Sequence, residues 1–264
     1  MNSGKLGEVT EATTDRRLLT QEAYPNPTNL RARQSIYDFK EPVVDWWSWV
    51  LGHADWPDGT TVLDVGCGPG NYLEHVRGIG VDLSLGMARE AQRHAPTLVG
   101  DVCALPVATD SIDRLLAPHM LYHAPDLPAA AAELRRVLRP GGVALVVTND
   151  PDHFRHLVDQ LSAATGSAAP VRFADRFTLS NGEALLRAHF EDVQIEHLRG
   201  EIVVPDVEPV VRYAESCRSL YELQLRSGVT WEESMHRLAN LVAHEIAETG
   251  AWRTTTHSGV FVCR

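Results

Sequence analysis

The most informative part of the sequence is the stretch Val62-Leu63-Asp64-Val65-Gly66-Cys67-Gly68-Pro69-Gly70. Its glycine-rich turn follows a predicted strand, 61–65, and precedes a predicted helix, which is the context in which such a turn forms a ligand site. Glycines let the backbone approach a ligand closely, and the N–H groups at a helix start favour an anionic group such as a carboxylate. The stretch therefore predicts a ligand site at the end of a buried strand.

The spacing of the glycines separates this turn from two other ligand-binding turns. The dinucleotide fingerprint needs glycine at its first, third and sixth positions. Counting from Gly66, the third residue is Gly68 but the sixth is Asn71. The phosphate-binding P-loop needs Gly-Lys-Ser/Thr, which does not follow here. The turn is therefore predicted to bind neither a dinucleotide nor a nucleoside triphosphate in those two ways.

Short apolar runs alternate with helical patterns on both sides of this turn, which indicates parallel βαβ units. The predicted strands are 61–65, 78–82, 97–100, 111–118 and 143–148. The predicted helices between them span 84–94 and the segment from Asp126 to just before Pro140. The last strand, VALVVT, is apolar throughout, as expected of a strand buried on both faces.

The flanking segments are more helical. The segment 42–51 places Val43, Trp46, Trp47 and Val50 on one helical face. Its tryptophans are compatible with a substrate wall, but packing against the sheet is the favoured interpretation. Tyr213, Cys217, Leu220 and Tyr221 also share a helical face, which is compatible with a pocket wall or with plain packing.

Two capping boxes and three strand-like runs mark the C-terminal half. Ser180 with Glu183 and Thr230 with Glu233 have the spacing of capping boxes, which predicts helix starts. Residues 192–205 contain two strand-like runs, and 258–264 a final apolar strand. The helical patterns over 206–249 therefore lie between strands.

Composition excludes several classes of protein. The chain has 264 residues, 44% of them hydrophobic, and a net charge of −11, which argues against a nucleic-acid partner. No apolar run is long enough to span a membrane, and the polar N-terminus is not expected to be a secretory signal.

The four cysteines include no CxxC pair, so neither a disulfide framework nor a metal site is predicted. A reducing cytoplasm is the expected location, and residues 1–20 are expected to be disordered.

Five segments in order along the chain resemble motifs of the class I S-adenosylmethionine-dependent methyltransferases, in particular the bacterial members that act on small molecules. The first is the glycine turn with Asp64 two residues before its first glycine, and the second is Asp82 at the end of the second strand. The others are Gly100-Asp101-Val102 with Leu105-Pro106, then His119-Met120-Leu121-Tyr122-His123 with Asp126, and finally Leu138-Arg139-Pro140-Gly141-Gly142.

The resemblance implies S-adenosylmethionine as cofactor and assigns residues to it. Asp82 would accept hydrogen bonds from both ribose hydroxyls, Asp101 would accept one from the adenine amine, and the Val102 amide would reach the adenine ring. Asp64 would engage the methionine end or support the turn. Upstream, Tyr24 would close over the site and Arg33 would face the cofactor carboxylate, although both are also compatible with a surface helix. Further cofactor contacts are expected from Gly66, Gly68, Leu83, Met87 and Pro118.

Two histidines are the candidate catalytic residues. His119 follows the fourth strand, at the edge where open α/β sheets bind ligands. A histidine there could take a proton from a hydroxyl or amine acceptor near neutral pH. The alternative is that His119 only shapes the pocket and that His123 packs the following turn.

The fold expected from these features is an α/β three-layer sandwich with a seven-stranded, mostly parallel sheet, an antiparallel last strand and a helical lid. Residues 21–56 are expected to form cover helices, and 57–264 a Rossmann-like domain with a lid insertion at about 206–250. The expected activity is methyl transfer to O, N or C of a small metabolite, in secondary metabolism such as antibiotic biosynthesis, by a monomer or homodimer.

Two alternatives remain. A nucleic-acid methyltransferase that modifies base amino groups would need Asn/Asp-Pro-Pro-Tyr/Phe after strand four, where this chain has Ala117-Pro118-His119-Met120. A catalytically silent, S-adenosylmethionine-binding regulator would keep the same cofactor residues.

Overall fold

The computed structural model describes residues 12–167 and 172–264. Its centre is an eight-stranded sheet with the strand order β1-β7-β8-β6-β5-β2-β3-β4. The strands are β1 (Lys40–Glu41), β2 (Val62–Val65), β3 (Ile79–Asp82), β4 (Thr97–Val99), β5 (Ile112–Pro118), β6 (Leu138–Asn149), β7 (Val193–Val204) and β8 (Trp252–Cys263).

The directions of the strands confirm the predicted α/β sheet. Strands β2 to β6 pair in parallel, whereas β8 lies antiparallel between β6 and β7. The sheet has one strand more than predicted, because the two residues of β1 pair antiparallel with β7. The two runs predicted within 192–205 form the single strand β7, because all its residues pair with β8.

Helices cover the sheet and connect its strands. They are α1 (Arg16–Leu18), which continues as a π-helical turn (Leu19–Ala23), α2 (Thr28–Gln34), α3 (Trp46–Leu51), α4 (Leu85–Ala91), α5 (Leu127–Val137), α6 (Arg155–Thr165), α7 (Gly182–Arg187), α8 (Val207–Ser216), α9 (Arg218–Tyr221) and α10 (Trp231–Thr249). Short 3₁₀ turns span Ser35–Phe39, Tyr72–Glu74, Leu121–His123, Phe173–Arg176 and Glu222–Gln224.

The N-terminal segment is more ordered than the sequence suggested. Of the residues 1–20 expected to be disordered, 1–11 lie outside the described residues, but Arg16 to Thr20 are helical. The Asp15 carboxylate accepts a hydrogen bond from the Leu18 amide and so caps this helix. Leu19 and Ala23 are buried, which ties the segment to the rest of the molecule.

Two helices predicted from the sequence differ in the structure. The helix expected after the glycine turn is a three-residue 3₁₀ turn, because few residues separate Gly70 from β3. The helix expected over 42–51 begins only at Trp46, where the Asp45 side chain caps it, and Val43 is exposed. Local capping thus sets the second start.

Two hydrophobic clusters make up most of the buried core. On one face of the sheet, β2, β5 and β6 pack against α5 and α7, with Leu134 and Phe261 fully buried. A second cluster joins α6, α8 and α10, and its centre contains Trp231 and Trp252. The helices between β7 and β8 therefore share a core with α6, with β7 and with the start of β8. The division of the chain into cover, domain and lid stays a prediction.

Candidate functional site

A cavity of about 860 Å³ lies along the carboxyl ends of the parallel strands. Open α/β sheets bind their ligands at this edge. Of the predicted site residues, twelve line it, and Asp64 does not: Tyr24, Arg33, Gly66, Gly68, Asp82, Leu83, Met87, Asp101, Val102, Pro118, His119 and His123. We call the part at the ends of β2, β3 and β4 the turn side (Gly66, Gly68, Asp82, Asp101). The part formed by α3, α8 and the segments before β1 and α6 is the far side (Tyr37, Lys40, Trp46, His153, Tyr213).

The glycine turn brings its backbone close to the cavity. Gly66, Gly68 and Gly70 all have positive φ, a conformation that other residues rarely adopt. A Cβ atom on Gly66 would lie 2.6 Å from the Cβ of Met120, so no larger residue fits there without displacement. The turn is tied to β3 because the amides of Gly66 and Cys67 donate to the Val81 carbonyl. Glycine is therefore required at this turn for both conformation and space.

Asp82 is held in place by two backbone amides. Its Oδ2 accepts a hydrogen bond from the Gly68 amide and its Oδ1 one from the Ser84 amide, each at 2.8 Å. Burial raises the pKa of Asp82, and these two hydrogen bonds partly oppose the shift. Because each carboxylate oxygen has two lone pairs, each still has one for a ligand. Asp82 therefore presents two adjacent acceptors to the cavity, which suits a vicinal diol.

Asp64 lies beneath the turn, away from the cavity. It is fully buried in β2, and neither carboxyl oxygen has a hydrogen-bond partner among the described residues. Burial, together with the charge of Asp82, raises its pKa well above the usual value. Asp64 neither lines the cavity nor makes a hydrogen bond to the turn, so both roles predicted for it stay predictions.

Asp101 occupies the opposite end of the turn side. Its Oδ1 accepts from the Cys103 amide at 2.9 Å, and its Oδ2 lies 3.0 Å from Nη1 of Arg16. Val102, the next residue, is largely buried and lines the cavity. The ion pair with Arg16 could not be foreseen, since an arginine in a polar N-terminal segment carries no signal of a distant partner.

The N-terminal segment covers the turn side. The Arg33 guanidinium lies 4.7 Å from the centre of the Tyr24 ring, which brings the two predicted cover residues together. Ser84 donates to the Tyr24 carbonyl at 2.7 Å, so the segment is anchored where α4 begins. A Cβ atom on Gly86 would lie 1.8 Å from the Pro25 carbonyl oxygen. Glycine at this position therefore permits the segment to sit directly on α4.

The two candidate catalytic histidines differ in their surroundings. His119 has a positive φ of 54° and its ring stacks on Trp46, with ring centres 5.7 Å apart. His123 lies between two partners: its Nδ1 is 3.0 Å from the Thr13 carbonyl and its Nε2 is 3.1 Å from the Tyr24 hydroxyl. Because a carbonyl only accepts, Nδ1 must carry the proton and Nε2 must accept from Tyr24. Both nitrogens of His123 are thus engaged, which favours its packing role.

Burial keeps both rings neutral near pH 7. It lowers the pKa of His119 to about 4 and that of His123 to about 4. The structure places the ring of His119 on the cavity, between the turn side and the far side. His119 is therefore the better placed of the two to receive a proton from a bound molecule.

The far side contains residues that the sequence did not single out. Tyr37, Lys40 and His153 line it together with Asp150 and Arg172. Trp46 and Trp47 pack against the sheet, as the favoured interpretation expected, and they also line the cavity. In the helical segment between β7 and β8, Tyr213, Cys217 and Tyr221 line the cavity as well, whereas Leu220 is buried in packing.

Two further observations bear on the kind of site. Within residues 12–167 and 172–264, no cluster of three or more His, Cys, Asp or Glu side chains could hold a metal ion. No helix in the same residues has the length and apolar character needed to cross a membrane.

Comparison with known proteins identifies the family. Residues 63–146 match the model of a methyltransferase domain. The chain is 34% identical over 216 residues to the malonyl-[acyl-carrier protein] O-methyltransferase of Serratia marcescens, an alignment that covers 79% of this chain and 82% of that protein. The chain therefore belongs to the class I S-adenosylmethionine-dependent methyltransferases, and S-adenosylmethionine is the cofactor of this family.

Other matches are shorter or show the fold alone. The chain is 38% identical over 117 residues to an uncharacterized 37.1 kDa protein in transposon TN4556 of Streptomyces fradiae. That alignment covers 39% of this chain and only 33% of that protein, so the chain spans about a third of its length. The structure is similar to that of phosphoethanolamine N-methyltransferase 2 of Haemonchus contortus, which was solved in complex with S-adenosyl-L-methionine. The TM-score is 0.56 and the sequence identity is 17%, and the alignment covers 94% of this chain and 59% of that one. Its similarity supports the fold.

The turn side fits S-adenosylmethionine. Asp82 presents free lone pairs for the ribose hydroxyls, and the glycine turn exposes backbone where a side chain would obstruct. At the other end, Asp101 offers a carboxylate to an amine and Val102 an apolar surface to a ring. The described residues therefore suit both the polar and the aromatic part of the cofactor.

Proposed function

We propose that the protein transfers a methyl group from S-adenosylmethionine to an oxygen, nitrogen or carbon atom of a small metabolite. One observation carries the proposal: the cofactor residues on the turn side and the aromatic residues on the far side line the same cavity. A volume of about 860 Å³ lies within the range of small-molecule and cofactor sites, roughly 300–1,000 Å³. The far side would hold the methyl acceptor.

The proposed roles of the cofactor residues follow from their positions. Asp82 binds the ribose hydroxyls, Asp101 binds the adenine amine, and Asp64 supports the turn from below. Gly66 and Gly68 provide backbone contact, while Arg33 and Tyr24 close the cavity from the N-terminal segment. Leu83, Met87, Val102 and Pro118 supply apolar contacts. When bound, S-adenosylmethionine supplies a methyl group already activated by the sulfonium.

The main task left to the chain is to orient the acceptor. Holding two reactants in line can supply several kcal/mol of the barrier without covalent catalysis. His119 lies on the cavity with a neutral ring, so it is the residue proposed to receive a proton from a hydroxyl acceptor. An amine acceptor that binds already deprotonated would need His119 only as a wall.

A small molecule is favoured over a nucleic acid as the acceptor. The net charge of −11 opposes phosphate binding, and residues 117–120 lack the motif for base amino groups. The lid helices and the N-terminal segment also contribute to the cavity walls, which restricts the size of the acceptor. The setting in secondary metabolism is proposed from the family resemblance, as are the cytoplasmic location and the monomer or homodimer.

Transfer of a radiolabelled methyl group tests this proposal. The protein is incubated with methyl-labelled S-adenosylmethionine and separate small-molecule, protein and nucleic-acid fractions of a cell extract. We expect label in the small-molecule fraction, together with release of S-adenosylhomocysteine. Label in the nucleic-acid fraction alone would favour a nucleic-acid methyltransferase. Cofactor binding without transfer to any fraction would favour a catalytically silent regulator.

A further inference from the structure

The far side contains a tyrosine whose hydroxyl hydrogen is directed by its neighbour. The Tyr37 hydroxyl lies 2.9 Å from Nε2 of His153. On the other side of that ring, Nδ1 of His153 accepts a hydrogen bond from the His257 backbone amide at 3.1 Å. Because an amide only donates, Nδ1 must carry the lone pair, and the proton of the neutral ring lies on Nε2.

This tautomer determines the role of Tyr37. His153 Nε2–H donates to the phenol oxygen, so the phenol O–H hydrogen points elsewhere. The Tyr37 side chain lines the cavity, and no acceptor for its hydroxyl hydrogen lies among the described residues. Burial lowers the pKa of His153 to about 3 and raises that of Tyr37, so both groups stay neutral near pH 7. Tyr37 therefore offers a hydrogen-bond donor to whatever occupies the far side.

A cation lines the same part of the cavity. Lys40 is one of two lysines in the chain, and its Nζ lies 5.8 Å from the centre of the Trp46 ring. No carboxylate of the described residues lies within 4.0 Å of Nζ, and burial lowers the lysine's pKa. Lys40 directly follows the 3₁₀ turn Ser35–Phe39 that contains Tyr37, and its charge contributes to the lowered pKa of His153.

The other charged groups on the far side have partners of their own or face solvent. Arg172 pairs with Asp175 and donates to the carbonyls of Pro151 and His153. Asp150 lies 3.5 Å from Nδ1 of His257, and Asp38 is exposed. In the described part of the chain, Lys40, unlike Arg172, has no nearby carboxylate that matches its charge. Arg33 also has no carboxylate partner there, but its guanidinium lies over the Tyr24 ring and donates to the carbonyls of Ala23 and Ser216.

We infer that Tyr37 and Lys40 form a subsite that binds a carboxylate group of the methyl acceptor. A neutral phenol donor and an ammonium group both bind an anionic oxygen, and neither Tyr37 nor Lys40 offers a negative charge. Trp46, Phe154 and Tyr213 add aromatic surface next to this pair. The acceptor class is therefore a carboxylate joined to an apolar or aromatic body. This inference rests on the proposed function, because it names the molecules that the far side binds.

Matched acids and amides test the subsite. The probes are phenylacetate, 3-phenylpropanoate and 4-phenylbutanoate, each with its primary amide, so that the distance from ring to carboxylate varies. Their binding is measured by calorimetry on protein saturated with S-adenosylhomocysteine. We expect at least one acid to bind about tenfold tighter than its amide, since hydrogen bonds to charged groups are stronger than neutral ones.

Four variants assign the preference to residues. Lys40→Met should abolish the preference for the acid, and Lys40→Arg should keep it because the charge remains. Tyr37→Phe should weaken the binding of the acid and of the amide alike, since both offer an oxygen atom that accepts a hydrogen bond from the phenol. The control Arg253→Met removes an exposed charge outside the cavity and should change nothing.

The results that would overturn the subsite differ from those that would count against the proposed function. Equal binding of acids and amides, binding by none of the acids, or an unchanged preference in Lys40→Met would each overturn the subsite. Failure of S-adenosylhomocysteine to bind would instead count against the proposed function, and it is measured first.

Discussion

Nη1 of Arg16 lies 3.0 Å from Oδ2 of Asp101, so a residue of the N-terminal segment pairs with the carboxylate at the adenine end of the site. The two residues are far apart in sequence, and the ion pair joins the segment to the loop after β4. Since 64% of the Arg16 side chain is exposed, solvent screens the pair. Its expected role is to hold the cover in place over bound cofactor.

Arg16→Ala should weaken S-adenosylhomocysteine binding slightly. An exposed ion pair contributes about 0–1 kcal/mol, which corresponds to at most about a fivefold rise in the dissociation constant. The difference should shrink at high salt because mobile ions screen exposed charges. Calorimetry on this variant and on the neighbouring control Arg17→Ala measures the effect. Tighter binding in Arg16→Ala would mean that Arg16 competes with adenine for Asp101.

S-adenosylmethionine or S-adenosylhomocysteine should raise the melting temperature, whereas NAD should not. A ligand that binds only the folded state stabilises it by mass action. The glycine spacing at Gly66 and Gly68 does not fit the dinucleotide fingerprint, so no such effect is expected from NAD. A thermal shift assay with each of the three ligands measures these changes in melting temperature. Stabilisation by NAD alone would contradict our interpretation of the glycine turn.

His119→Ala should lower kcat about 10²–10⁴-fold if the acceptor is a hydroxyl, with cofactor affinity nearly intact. Because burial lowers the pKa of His119 to about 4, the wild-type rate should fall only as the pH approaches that value. The variant should lack this ionisation, and the exposed His94→Ala serves as control. If His119 is only a wall, KM for the acceptor rises and the pH profile is retained. Values of kcat and KM both within about twofold of wild type would exclude either role.

Stability should fall as the pH is lowered from about 6.5 toward 4. Burial lowers the pKa of His123 to about 4 in the folded protein, whereas an unfolded histidine titrates near 6.5. Between these values the unfolded state binds more protons, so the free energy of unfolding rises with pH by up to about 1.4 kcal/mol per unit for each such histidine.

Urea unfolding at several pH values measures this slope in the wild type and in His123→Gln. The slope of the variant should be smaller by the contribution of one proton. His244→Gln is the control, because that residue is exposed on α10. An identical slope in wild type and His123→Gln would show that the ring is not kept neutral by burial.

Patterns set by neighbouring residues predicted the fold well. Thr230 and Glu233 cap α10 as their spacing indicated, because a capping box depends only on the first turn of its helix. The box predicted at Ser180 and Glu183 was wrong. The Ser180 hydroxyl forms a hydrogen bond with the Thr178 hydroxyl, and the Thr178 backbone amide donates to the Asn181 side chain. The helix α7 therefore starts only at Gly182. Competing polar partners nearby decided that helix start.

The turn side of the site was predictable because its residues lie in motifs at the ends of strands. The far side was not, since Tyr37 and Lys40 come from one short segment and His153 lies 116 residues after Tyr37, with no motif that links them. Their arrangement depends on the contact between the 3₁₀ turn Ser35–Phe39 and the start of α6. Tertiary packing alone creates that contact, so no local pattern could indicate it.

Asp82 is expected to bind the ribose of the cofactor, and the variant Asp82→Ala removes this interaction. Two charge-assisted hydrogen bonds to the ribose are lost, at roughly 1.5–3 kcal/mol each. Because the Gly68 and Ser84 amides also lose their acceptor, the fold of the variant is checked by circular dichroism before the titration. Calorimetric titration with S-adenosylhomocysteine should therefore show a dissociation constant at least about tenfold higher than that of the wild type. An unchanged dissociation constant in a folded Asp82→Ala variant would contradict the assignment of this cavity to S-adenosylmethionine.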